Sequence, residues 1–171
     1  MSNNDYVAFI TERHRTLLEA IENLLIKQRL DLTPQLRELD QRIEAVELSL
    51  RRQIDSTLAA DVSRLPPHVN QKIEERVLAA TKKNAAITSD QFKTLSRRLE
   101  YADLRELQDT IINKTLWPQF EARFTNKEAL TGKFGQLAEL RNGIRHSRSV
   151  DDITRKEGEA AILWFEQILA R

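Results

Sequence analysis

Leu137-Ala138-Glu139-Leu140-Arg141-Asn142-Gly143-Ile144-Arg145-His146 decides how the chain is read. Phe134, Leu137, Leu140 and Ile144 recur at steps of three and four, the spacing of one apolar helical face. A knot of polar residues closes that helix: Arg141, Asn142, Arg145 and His146. At about 100° per residue, Asn142 and His146 share a face roughly 40° wide, and Arg141 and Arg145 form a second pair one row over. Arg141 and His146 are separated by about 140° on a regular helix. They converge only where the helix frays near Gly143, or where two copies of the chain share one site. Gly143 costs about 1 kcal/mol relative to Ala in a helix, and it lets another backbone come close.

The same periodicity extends outward in both directions. After Ser147-Arg148-Ser149-Val150-Asp151-Asp152, the capping-box spacing of Thr154 and Glu157 predicts a last helix over 155–170, with Ala161, Ile162, Phe165, Ile168 and Leu169 inward. Upstream, Asp103 and Glu106 have the same spacing and open a helix carrying Leu104, Leu107, Ile111 and Ile112. Trp117-Pro118 starts another helix, where Phe120 and Phe124 read as core together with Trp117. A helix over 89–99 places Phe92, Leu95 and Leu99 inward. One over 67–83 does the same with Val69, Ile73, Val77 and Leu78, and its terminal Lys82 and Lys83 suit a helix C-terminus.

Leu65-Pro66-Pro67 breaks the chain and marks a boundary. Before it, residues 5–28 read as a helix with His14 on its apolar stripe. Thr33 then caps a second helix from Pro34 to about residue 60. Its stripe of Leu36, Leu39, Ile43, Val46, Leu50 and Ile54 mimics a coiled-coil seam. The charges between them (Arg37, Glu38, Asp40, Arg42, Glu44, Glu47, Arg51, Arg52) read as a solvated face. The expected fold is all-α: an N-terminal antiparallel coiled-coil-like hairpin, 1–64, followed by a helical bundle, 65–171.

Composition agrees with helices. Only 4 Gly and 4 Pro punctuate 171 residues, and no stretch alternates like a strand. The net charge of +1 argues against a globally basic nucleic-acid binder and leaves room for a local patch. There is no cysteine, so disulfides and thiolate metal sites are excluded. His14, His68 and His146 lack metal-ligand spacing, and neither a metal nor a cofactor is expected. Met1-Ser2-Asn3-Asn4-Asp5 opens no signal sequence, and no apolar run reaches a membrane span; a cytoplasmic, membrane-free protein is the expectation. Thr131-Gly132-Lys133-Phe134-Gly135 resembles half a phosphate loop, but Lys127 and Phe134 replace residues such a loop requires. There is no nucleophile elbow.

Metal-free RNA cleavage needs a base for the 2′-hydroxyl, a cation for the charge on the phosphorane, and a group to orient them. His146, Arg141 and Asn142 supply these three kinds of group, and arginine forks match phosphate oxygens. The competing reading is structural: Arg and His at a helix C-terminus suit its dipole and cap its carbonyls.

The Arg141-Asn142-x-x-x-His146 pattern at the end of a long helix, followed by a short loop and a final helix, resembles the HEPN superfamily. Tyr101-Ala102-Asp103-Leu104 followed by Trp117, Phe120 and Phe124 extends the resemblance, which covers roughly 70–171. It implies an all-α HEPN-like bundle that forms a homodimer with two motifs facing each other. It also implies a metal-independent endoribonuclease acting on RNA, as found in toxin–antitoxin, phage-defence and restriction-linked systems, with an antitoxin or a larger defence-system partner. On the matching positions Arg141 and His146 would be catalytic, with Asn142 supporting. Arg145 and Arg148 would add phosphate contacts; Arg145 stands where relatives commonly carry a small residue. The N-terminal hairpin lies outside the family pattern and would serve as a dimerisation arm or as a linker to another domain. The superfamily also contains inactive members that act only as interaction modules.

Overall fold

The structure is a computed structural model that describes residues 13–20, 33–84, 86–146 and 150–171. Every regular element among them is helical. By contacts the chain divides into two compact units, Met1–Glu38 and Leu39–Arg171. The Leu65-Pro66-Pro67 break therefore lies inside the second unit.

In the first unit residues 13–20 are helical (α1), and His14, Leu17 and Leu18 are exposed. The rest of the helix expected over 5–28 lies outside the described residues. Helix α2 spans Pro34–Thr57. Its start follows the sequence signal: Thr33 Oγ1 accepts the Leu36 N–H at 3.3 Å.

In the second unit, Leu39, Ile43, Val46, Leu50 and Ile54 of α2 are buried. This is the stripe that reads as a coiled-coil seam in the sequence. After α2 the chain turns through Ala59 and Ala60, both at positive φ, into a short 3-10 turn, Val62–Arg64, capped by Asp61. Helix α3, Pro67–Lys83, buries Val69, Ile73 and Val77, whereas Leu78 stays 46% exposed.

The helix expected over 89–99 is interrupted. A 3-10 turn, Ser89–Phe92, and a short α4, Leu95–Leu99, meet at Thr94, whose backbone is extended. Phe92, Leu95 and Leu99 still point inward, so the apolar spacing holds although the backbone hydrogen bonding does not run through. Helix α5, Leu104–Ile111, begins with the expected capping box between Asp103 and Glu106.

Helices α6, Trp117–Phe124, and α7, Lys127–Arg145, are joined by a tight turn in which Thr125 has φ 57°. Asn126 caps α7 by accepting the Ala129 N–H. Gly132 and Gly135 sit within α7, so the half phosphate loop of the sequence is helix.

Helix α8 spans Asp152–Leu169. Its cap is Asp151, which accepts the N–H groups of Ile153 and Thr154, and not the Thr154 expected from sequence. The Thr154 hydroxyl instead donates to Asp151 Oδ2. A carboxylate at the N-terminus also meets the positive end of the helix dipole, and that favours the earlier start.

The core is aromatic and aliphatic. Phe120, Phe124, Phe134 and Phe165 are fully buried, and burying such a side chain is worth about 1.5–3 kcal/mol. Phe134 and Phe165 meet edge to face and fasten α7 to α8. Gly158 allows a close approach there: a Cβ at that position would lie 2.5 Å from Leu140 Cδ2. Trp117 is half-buried, with Lys127 Nζ 5.1 Å from its ring centre. No helix among the described residues is long and apolar enough to cross a membrane.

Candidate functional site

The polar knot occupies the last turn of α7. The helix runs through Gly143 to Arg145 without fraying, and His146 is its C-cap residue, donating its backbone N–H to the Asn142 carbonyl at 3.0 Å. Regular geometry therefore holds as far as Arg145, while His146 leaves it at φ −96°, ψ 12°; the two pairs of side chains part company, as the 100° rule leads one to expect. Asn142 and His146 are exposed. Among the described residues neither of their side chains has a hydrogen-bond partner. Arg141 and Arg145 turn the other way, onto α2.

The surface they meet is a row of charges on α2: Asp40, Glu44, Glu47 and Arg51, at steps of four, three and four. Arg145 Nε lies 3.4 Å from Asp40 Oδ1, and its Nη2 lies 3.6 Å from Glu44 Oε1. One turn back, Arg141 Nε lies 2.8 Å from Glu47 Oε1. The other Glu47 oxygen meets Arg51 Nη2 at 3.2 Å. That same Nη2 donates to the Ala102 carbonyl at 3.0 Å. Rising numbers on α2 meet falling numbers on α7, so the two helices run antiparallel here.

The two arginines differ in how they are held. The Glu47 side chain is only 5% exposed and Arg141 22%. Burial of a lone carboxylate is costly, so two guanidiniums share this one. The Arg141–Glu47 contact is short, yet the Nε–H does not aim at the oxygen, and both atoms lack a well-formed hydrogen bond. Arg145 is one-third exposed, and its contacts are longer.

Three of the charged residues of α2 correct the expectation of a solvated face. Glu47 is buried, Arg51 is largely covered, and Arg42 donates two hydrogen bonds to Glu166 of α8, at 2.9 and 2.7 Å. The sequence does carry a signal for them: the Asp40–Glu44–Glu47–Arg51 row runs beside the apolar stripe at helical spacing. Single-helix periodicity does not say that a facing helix brings arginines to it.

A second buried carboxylate lies elsewhere in the bundle. Glu106 of α5, 1% exposed, is held by both Nη atoms of Arg76 from α3. Burial pushes its carboxyl up, but the Arg76 hydrogen bonds, the Asp103 N–H and the guanidinium charge outweigh burial and leave the pKa below the usual value. Arg76 also donates to the Tyr101 carbonyl, and this ties the α4–α5 connection to α3.

Of the residues singled out in the sequence, Arg141 and Arg145 come together on α2, and Asn142 and His146 are both left exposed. The two pairs are not joined within one chain. Arg148 lies outside the described residues. His68 is exposed, with Nε2 3.8 Å from Asp109 Oδ2. A hollow of about 480 Å³ beside Phe92, Arg97 and Tyr101 does not include residues 141–146. Among the described residues no cluster of three or more His, Asp or Glu could hold a metal ion. Compared with models of known families, with curated proteins and with solved structures, the chain matches none.

Proposed function

We propose that the chain is a metal-independent endoribonuclease of the HEPN type, acting as a homodimer in which the C-terminal ends of two α7 helices complete one site. One observation carries this reading. Asn142 and His146 are exposed at the end of the same helix whose Arg141 is held on α2 by a buried carboxylate. Arg141 faces α2 and His146 is exposed; in this reading a second copy of the chain completes the set.

In this reading His146 removes the proton from a ribose 2′-hydroxyl, and the oxygen attacks the adjacent phosphorus. Arg141 stabilises the charge on the phosphorane. The P–O5′ bond breaks, the 5′-oxygen takes a proton back from the His146 imidazolium, and a 2′,3′-cyclic phosphate and a 5′-hydroxyl remain. Asn142 holds the imidazole tautomer or a phosphate oxygen. The first unit, Met1–Glu38, serves as a dimerisation or linker arm. The setting is a cytoplasmic defence, toxin–antitoxin or restriction-linked system, with an antitoxin or a larger defence component as partner. Incubation with assorted RNAs in EDTA tests the proposal. Cleavage is expected, and His146→Ala and Arg141→Ala are expected to abolish it. No cleavage, or cleavage unchanged by His146→Ala, overturns the proposal.

A second reading is favoured by the Arg141–Glu47–Arg51 cluster, which gives Arg141 a structural task of its own. Here the chain is a non-catalytic helical interaction module. This reading expects self-association or partner capture that survives loss of both Arg141 and His146 side chains, with no RNA turnover.

A further inference from the structure

Two arginines on the same face of α7 are held by the same helix in different ways. Arg141 meets Glu47 at 2.8 Å, where the carboxylate is 5% exposed and shared with Arg51. Arg145 meets Asp40 at 3.4 Å and Glu44 at 3.6 Å, and Glu44 is 61% exposed. The first contact is short and largely shielded from water. The second is longer: Arg145 Nε donates to Asp40 Oδ1, whose side chain is 26% exposed, and only the Glu44 arm lies largely in water; ion pairs near the surface exchange partners at little cost. A guanidinium matches a phosphate at least as well as a carboxylate and forms two parallel hydrogen bonds with it. Arg145 is also next in sequence to the exposed His146.

We infer that Asp40 and Glu44 form an electrostatic gate on Arg145, which gives up these carboxylates to grip a backbone phosphate of single-stranded RNA next to the scissile link. The inference rests on the ribonuclease reading and assigns three residues of that site. Asp40 and Glu44 compete with the ligand; Arg145 is the contact they hold in reserve; Arg141 remains where Glu47 fixes it. At rest the acids neutralise the patch, so ordinary polyanions meet no free cation at Arg145. An RNA strand already seated at His146 presents its neighbouring phosphate at high local concentration and displaces them.

The test is binding of a short fluorescein-labelled 2′-O-methyl RNA, which lacks the nucleophile and is not cleaved. Asp40→Asn with Glu44→Gln is expected to bind several-fold tighter than the wild type. In wild type the released carboxylates take up cations as RNA binds, so the slope of log affinity against log salt should steepen by about one in the variant. Adding Arg145→Ala should cancel that gain. Asp90→Asn with Glu100→Gln changes the net charge equally on other elements and should leave affinity near wild type. Thermal melting checks that all forms fold.

Three results overturn the gate: no tightening, a gain that survives Arg145→Ala, or equal tightening in the Asp90/Glu100 control. Cleavage of natural RNA without tightening sinks the gate alone. Tightening without cleavage of natural RNA sinks the catalytic reading and leaves the gate standing as a binding device. Absence of RNA binding in every form sinks both.

Discussion

Glu47 of α2 and Arg141 of α7 form a contact of 2.8 Å in which the carboxylate is buried and the guanidinium keeps a fifth of its surface in solvent. The pair joins the two helices at the level of the candidate site. Removing the carboxylate leaves two guanidiniums, Arg51 and Arg141, facing one covered space. Glu47→Ala should therefore destabilise by about 2–3 kcal/mol, below the full cost of breaking a buried pair because both arginines are partly hydrated. Glu47→Gln keeps the shape and one acceptor and should lose about half of that. Urea denaturation of both variants measures the difference, and wild-type stability in Glu47→Ala would remove the pair from any account of the fold.

A single helix announces its own apolar face and its own caps, but not the partners that pack against it. The apolar stripes of α3, α5, α7 and α8 declare their inward faces, because burial recurs every three or four residues along one chain. The Asp103–Glu106 box was visible because both partners lie within one turn. Partners far apart in sequence were not visible. Nothing in α2 alone says that Glu47 meets Arg141, or that Arg42 meets Glu166 across 124 positions. The divergence of Arg141 from His146 followed from their five-residue spacing. Which of them would face protein and which solvent did not, because that depends on where α2 packs.

Glu106 gives the bundle a pH-dependent term of definite sign. Its carboxyl is held below the ordinary glutamate value of 4.5 in the folded state, with burial opposed and exceeded by Arg76 and the Asp103 cap. A depressed folded pKa contributes stability that is complete above the unfolded value and is lost as pH falls through the folded one. Glu106→Gln should cost about 1–2 kcal/mol at neutral pH, a figure reduced because Arg76 is itself partly exposed. The gap between variant and wild type should narrow below about pH 4.5. Paired urea titrations at neutral and acid pH read it directly. A gap that stays constant with pH would assign the loss to packing.

Gly158 and Gly143 look alike in sequence, both within helices, but should respond differently to alanine. A Cβ on Gly158 would lie 2.6 Å from Leu140 Cβ and 2.5 Å from its Cδ2. The first of these atoms is the root of the side chain and cannot rotate away, so α7 and α8 would have to separate. Overpacking of this kind costs about 1–3 kcal/mol, more than the roughly 1 kcal/mol of helix propensity gained. Gly158→Ala should thus be destabilising, and Leu140→Ala should not rescue it, since the Leu140 Cβ remains. At Gly143 the close neighbour is Val150 Cγ2 at 2.8 Å, with Val150 Cβ at 3.8 Å; relief takes a χ1 turn or a small shift of a β-branched side chain, a cost that the roughly 1 kcal/mol of helix propensity gained offsets. Gly143→Ala should be near neutral. Melting temperatures of the three variants decide the matter; a harmless Gly158→Ala would mean that the α7–α8 contact is looser than described.

Arg141→Lys separates what Arg141 does for the fold from what it does for chemistry. A lysine ammonium still places a positive charge near Glu47, so most of the ion-pair stability should remain and the variant should melt close to wild type. The ammonium has no fork, however, and one compact charge cannot serve the carboxylate and a phosphorane oxygen together. Under the ribonuclease reading, kcat for RNA cleavage should fall by about 100-fold or more, the scale seen when one transition-state donor is removed. KM should change less, because ground-state contacts from Arg145 survive. Under the interaction-module reading, Arg141→Lys should leave self-association untouched and no turnover should exist to lose. A folded Arg141→Lys protein that cleaves RNA at the wild-type rate would place the catalytic cation elsewhere, and Arg141 would then be a structural residue that holds α7 against α2.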